Sequence, residues 1–206
     1  MPIITRLVQG KKNPNRVNLY LDGKFGFALS IDEVVTHHLK IGRELSDGEI
    51  EELVNGDNQS KVYGKILNFL SYRPRSVKEV RDRLYQYDLK DAEEQNLLIE
   101  KLKQKGYLDD LTFAKWFVES RNTHKLRSPA MIKQELAAKG VSKEILQQVI
   151  SDIQDEKVTI KRLLDKKLGN SRALEGDERQ KIILYLSRHG FPWEKIKQVV
   201  KSWESE

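Results

Sequence analysis

No cysteine occurs in this chain. Disulfides, thiolate zinc sites and cysteine nucleophiles are thereby excluded, and a reducing compartment fits the absence. No apolar run is long enough to span a bilayer. The opening MPIITRLVQG is too short and too polar for a secretory signal. A soluble, cytoplasmic protein with no membrane partner is expected. Phosphate-loop signatures are also missing, both G-x-x-x-x-G-K-[ST] and a G-x-G-x-x-G that opens a helix. Histidines number four. His37 and His38 are adjacent, so they point to opposite sides of a helix and suit joint metal binding poorly. His124 and His189 sit near helix ends, where a partly charged imidazole complements the dipole. No acidic stretch has the alternating oxygen ligands of a calcium loop. Neither an enzyme, a metal nor a cofactor is expected.

What the chain does have is charge, unevenly spread. Charged residues make up 33% of 206, with a net charge of +6. Residues 1–60 hold 7 Lys and Arg against 9 Asp and Glu, a net −2, whereas residues 61–206 hold 30 against 22, a net +8. A basic body behind a mildly acidic head points to a polyanionic or acidic-surfaced partner.

The head reads as β-rich. In RVNLYLDGKFGFALS, Val17, Leu19 and Leu21 fall on one side of a strand, and Phe25, Phe27 and Leu29 continue that side after Asp22-Gly23. Asp-Gly between alternating apolar runs predicts a hairpin with a type I′ turn. Residues 3–9 read as an earlier strand, 31–39 as a short helix and 41–45 as a further strand. Ser46 with Glu49 forms a capping box. The stretch NGDNQS, 55–60, reads as a linker, which bounds an N-terminal α+β domain at 1–58.

Beyond it the pattern is helical and repeats. A shift of 50 residues superposes Ile132 on Ile182, Leu136 on Leu186, Val141 on Phe191, Leu146 on Ile196 and Val149 on Val199. Gly140 falls on Gly190, each where a helix needs a left-handed C′ residue. An earlier copy has Val80 and Leu84 in the matching apolar places, with Asp88 standing for the glycine. Ser76 with Glu79, and Asp91 with Glu94, read as capping boxes. Each copy adds a leading helix. The reading is a mainly α chain: three tandem three-helix repeats over 59–110, 111–156 and 157–206, stacked into an elongated curved rod.

The joint GYLDDLTFAKWFVESR (106–121) carries two aspartates and, within the five positions 113–117, three large aromatics. Asp110 is expected to cap the helix starting at Leu111. Phe113, Ala114, Phe117 and Val118 form one apolar stripe, read as the seam between the first two repeats. Trp116, Trp193 and Trp203 are expected in core or seam packing. Contact candidates are the recurrent cations. Arg73 and Arg75 precede one helix, and Arg127 precedes its counterpart, with Arg121, Lys125 and Lys133 nearby. Arg172, Arg179, Lys181 and Arg188 occupy the corresponding region of the third copy.

The blocks RPRSVKEVRDRL, KGYLDDLTFAKWFVESR and RSPAMIKQELAAKGVSKEIL, in that order, closely resemble the RecX family of bacterial recombination regulators. The resemblance covers 62–200 and is strongest over 73–150; in the third unit GDERQ replaces the Arg-Ser start. The head resembles the extra N-terminal region of longer members. The resemblance implies a non-enzymatic protein that binds in the groove of the RecA recombinase filament on single-stranded DNA; a monomer is expected. It further implies mostly inhibitory effects on filament extension, ATP hydrolysis, strand exchange and co-protease activity. Some members also bind DNA, single- or double-stranded. The competing readings are a direct DNA-binding protein built of helix-turn-helix-like units and a helical scaffold for an unrelated protein.

Overall fold

The computed structural model describes residues 1–169, 174 and 176–205. Contacts within it divide the chain into two units, Met1–Asn68 and Phe69–Glu206.

The first unit holds a three-stranded antiparallel sheet of β1 (Ile4–Gln9), β2 (Arg16–Leu21) and β3 (Lys24–Ser30), in that order. The β2–β3 turn is as expected: Asp22 and Gly23 have φ of +48° and +80°, the two positive values a type I′ turn requires. Ile4, Leu19 and Leu29 are fully buried and form a core with Leu39, Leu45 and Leu53.

One register detail departs from simple alternation. Leu19 pairs with Phe27, but Tyr20 pairs with Phe25, so Gly26 is an extra residue in β3. Such a bulge reverses the facing of what precedes it. Phe27 packs against the core, whereas Phe25 lies 59% exposed beside Tyr20. The expectation that Phe25 shares the side of Phe27 and Leu29 is thus overturned. A Cβ on Gly26 would lie 3.0 Å from the Leu21 side chain, which favours glycine at the bulge.

Helix α1 (Ile31–Thr36) starts at a capping box of Ser30 and Glu33. Residues 41–45 form no strand; a single bridge joins Glu44 to Ile3. Helix α2 runs unbroken from Asp47 to Ser71. Ser46 and Glu49 make the expected capping box at its start, with Ser46 Oγ accepting from the Glu49 N–H and the Glu49 carboxylate accepting from the Ser46 N–H. The stretch 55–60 is therefore helix, not linker. Its local propensity is poor, but Asp57 is 4% exposed and holds Arg16 of β2 through two hydrogen bonds of 2.7 and 2.9 Å. Lys61, one turn on, reaches the same carboxylate at 2.6 Å. Tertiary pairing overrides propensity here.

The remaining helices are α3 (Val77–Gln86), α4 (Ala92–Gln104), α5 (Asp110–Ser120), α6 (Pro129–Ala138), α7 (Lys143–Val149), α8 (Glu156–Leu168), α9 (Gly176–Arg188) and α10 (Trp193–Glu204). Their second members, α3, α6 and α9, end alike. Asp88, Gly140 and Gly190 have φ of +67°, +80° and +88°. The next residue's N–H returns to the carbonyl of Leu84, Leu136 or Leu186, which is the Schellman closure. Val141 and Phe191, just beyond, are buried, as are the aligned Ile132, Ile182, Leu136 and Leu186.

Phe113, Ala114, Phe117 and Val118 are buried with Ile132, Leu136, Val141 and Val149. The stripe on α5 is thus the core of the α5–α7 set rather than a seam to its predecessor. Trp203 is buried in the α8–α10 core and its indole N–H donates to Asp165 at 3.0 Å. Trp116 packs on the α5–α7 core, but Trp193 is 52% exposed, against expectation. Leu126 belongs to the chain between α5 and α6, yet it is buried in the α8–α10 core, with a left-handed φ of +45°.

Candidate functional surface and family assignment

The Arg-Ser pairs that mark the starts of α3 and α6 are structural first. Ser76 and Ser128 are fully buried N-caps whose hydroxyls accept from Glu79 N and Met131 N at 3.1 and 3.2 Å. Each of these helix starts then meets the C-terminal turn of the next second helix. At α3, Lys78 Nζ donates to the Ala138 carbonyl at 2.9 Å, and a Cβ on Gly140 would come within 2.9 Å of Lys78 Cβ. At α6, the Ser128 N–H donates to the His189 carbonyl at 3.0 Å, and a Cβ on Gly190 would come within 2.6 Å of Ser128 Oγ. The same joint is built twice.

Arginines brace it. Arg73 pairs with Glu79 at 3.0 Å and lies 5.0 Å from the centre of the Trp116 ring. Glu79 also takes Lys139 Nζ at 2.6 Å. Burial alone would raise the Glu79 pKa, but the bonds from Arg73 and Lys139 outweigh it and hold the carboxyl below the ordinary glutamate value. The capping box read from the sequence is therefore only half made: the Ser76 hydroxyl accepts from the Glu79 N–H, while the Glu79 carboxylate goes to Arg73 and Lys139 instead of the Ser76 N–H. Arg75 stacks on Phe69 at 3.9 Å, and burial pushes its pKa down. Arg121 pairs with Glu135 at 2.6 Å and stacks on Phe117 at 4.1 Å. Arg127 Nη1 donates to the Arg188 carbonyl at 3.0 Å. Arg179 pairs with Glu204 at 3.1 Å.

Other candidates differ. Lys125, Lys181 and Arg188 are exposed and Lys133 is half-buried. Among the described residues, no ion pair or hydrogen bond engages these four side chains. The α6–α9 joint brings Lys125, Arg127 and Arg188 together, with His189 beneath. His189 Nδ1 donates to the Leu126 carbonyl at 3.1 Å, and burial lowers its pKa, which works against the partly charged imidazole expected at a helix end. Arg172 lies outside the described residues.

The aspartate pair splits its duties in a way the sequence did not reveal. Asp109, not Asp110, is the N-cap of α5: its carboxylate accepts from the N–H groups of Leu111 and Thr112 at 3.2 and 2.8 Å. Asp110 sits inside the first turn and accepts from the Val77 N–H at 2.8 Å, so it caps α3 from 33 positions away. Its pKa is raised, because burial outweighs that single bond. An open cleft of about 690 Å³ runs past this point, lined by Lys78, Arg81, Lys103, Asp110 and Gly140 among others. No group of three or more His, Asp or Glu among the described residues is placed to hold a metal ion. No helix among them is long and apolar enough to cross a membrane.

A small antiparallel sheet followed by successive three-helix sets with a repeated joint defines a helical-repeat protein. Family models place it further. The RecX N-terminal domain matches residues 2–46, and the first, second and third RecX three-helix domains match 63–93, 109–150 and 155–200. Regulatory protein RecX of Bacillus pumilus (strain SAFR-032) is 34% identical over 207 residues, covering 98% of this chain and 77% of that one. Regulatory protein RecX of Bacillus subtilis (strain 168) is 34% identical over 212 residues, covering 100% and 79%. The crystal structure of a regulatory protein RecX superposes with a TM-score of 0.68 at 25% identity, covering 98% of this chain and all of that one. RecX from Lactobacillus salivarius shares the fold, with a TM-score of 0.57 at 24% identity over 73% of this chain and 99% of its own. The chain belongs to the RecX family.

Proposed function

We propose that this protein is a non-enzymatic regulator of a RecA-type recombinase. It binds in the groove of the recombinase filament on single-stranded DNA and mostly inhibits filament extension, ATP hydrolysis, strand exchange and co-protease activity. The observation that carries the reading is the extent of the family match: the head and all three helical units align with proteins named regulatory protein RecX. The twice-built joint supports it, because it gives successive units a fixed spacing, and fixed spacing lets several weak contacts on a periodic partner add. A ligand that spans protomers in one filament state stabilises that state against another, so inhibition requires no bond-making step.

Lys125, Lys133, Lys181 and Arg188 are the cations assigned to filament contact, since no described partner occupies them. Arg73, Arg75, Arg121, Arg127 and Arg179 act first on the protein's own joints and helix ends. The test is a titration into assembled filament while ATP hydrolysis is followed. Hydrolysis is expected to fall, and a Lys125→Glu/Arg188→Glu variant is expected to need a higher concentration for the same effect. Unchanged hydrolysis at saturation would remove the regulator reading.

A further inference from the structure

We infer that the outward face of the β1–β3 sheet is a binding platform for single-stranded nucleic acid. The charge of the first unit is segregated. Residues 1–30 carry five bases (Arg6, Lys11, Lys12, Arg16 and Lys24) against one acid, Asp22, while residues 31–60 carry two bases against eight acids. The sheet is thus cationic although its unit is net acidic. Asp57 takes Arg16, and the other four bases are exposed.

Aromatic side chains lie among these cations. The Gly26 bulge sets Phe25 beside Tyr20, edge to face, with ring centres 5.9 Å apart. The Arg6 guanidinium covers Tyr20 at 4.0 Å. Neither ring belongs to the head core. Next to Tyr20 is an open cleft of about 480 Å³ lined by Gln9, Lys11, Lys12, Asn13 and Asn18, a size within the range of small-ligand sites. Cations for phosphates, ring faces for bases and amides for base edges are the components of a single-strand site. A duplex keeps its ring faces stacked and would leave Phe25 idle. An acidic peptide would use the lysines but neither aromatic.

The test uses the full chain and labelled oligo-dT, oligo-U and a duplex of equal length, read by fluorescence anisotropy at several salt concentrations. Oligo-dT and oligo-U are the two sources of the same chemistry, and their ratio identifies which is preferred. Phe25→Ala is expected to weaken single-strand binding about tenfold with little change in salt slope, because stacking is lost and charge is not. Lys11→Glu/Lys12→Glu is expected to lower the slope of log affinity against log salt by about 1–2. Phe25 is exposed, so its truncation should leave the melting temperature unchanged. If it does not, photocross-linking of 5-iodouracil oligonucleotide to the unaltered chain decides, with adducts expected at Tyr20 or Phe25. Wild-type affinity in Phe25→Ala, cross-links confined to residues 69–206, or equal affinity for the duplex or for polyglutamate would overturn the platform. These outcomes are separate from the filament hydrolysis test, which can succeed or fail on its own.

Discussion

Gly190 lies directly against Ser128: a side-chain carbon on the glycine would come within 2.6 Å of the serine hydroxyl. Two requirements meet at that glycine. Its φ of +88° ends α9, and its bare Cα lets the buried N-cap of α6 approach. Gly106 has a similar φ of +71° but nothing within 4 Å of its absent Cβ. The pair separates the two costs. Gly106→Ala should lose only the backbone term, about 1–2 kcal/mol for a left-handed L-residue. Gly190→Ala should lose that and roughly another 1 kcal/mol, because moving the Ser128 hydroxyl breaks a helix cap. Denaturant unfolding of both variants, and of Gly190→Ala in a Ser128→Ala background, measures the difference. Equal losses in the two glycine variants would show that the joint is not what excludes a side chain.

Acid should loosen the α3–α6 joint. The Glu79 pKa is held below its unfolded value of 4.5, since bonds from Arg73 and Lys139 outweigh burial. The unfolded chain therefore binds the extra proton first, and stability rises with pH through this window. The contribution is complete above about pH 4.5 and is lost as pH falls through the lower folded value. Glu79→Gln should cost about 1–2 kcal/mol at neutral pH and flatten the acid limb of the stability profile. An acid limb unchanged in that variant would remove Glu79 as its source.

Asp110 should behave in the opposite sense. Its folded pKa is raised, so its charge is held at a cost at neutral pH that protonation relieves. What α3 needs from it is an acceptor for the Val77 N–H. Asp110→Asn keeps an acceptor and drops the charge, so stability at pH 7 should hold or rise. Asp110→Ala loses the cap and should cost about 1 kcal/mol. Hydrogen exchange of the Val77 amide distinguishes them: protection retained in the first and lost in the second.

Much of this architecture can be read from the sequence wherever a residue type has a single local use. Asp22-Gly23, Gly140, Gly190 and Asp88 are such positions, because left-handed backbone admits few residues. The buried Ser76 and Ser128 caps are others. Non-local effects are what the sequence hides. NGDNQS looks like a linker until Arg16, 41 positions away, engages Asp57. Phe25 alternates with the core residues until the Gly26 bulge turns it outward. Two adjacent aspartates offer equal caps, and only the fold shows that one serves α5 and the other α3. The recurrent Arg-Ser pair suggests a binding face, and its serine has a second use that only the fold shows, as a buried cap at each copy of the joint.

The most direct test of the account is a comparison of affinities. Binding would be measured to assembled recombinase filament, to free recombinase and to bare single-stranded DNA, each at two salt concentrations. The account predicts tightest binding to the filament, weakened by Lys125→Glu/Arg188→Glu. Bare DNA bound as tightly as the filament, with a steep salt slope, would contradict it and make the DNA, not the recombinase filament, the protein's principal target.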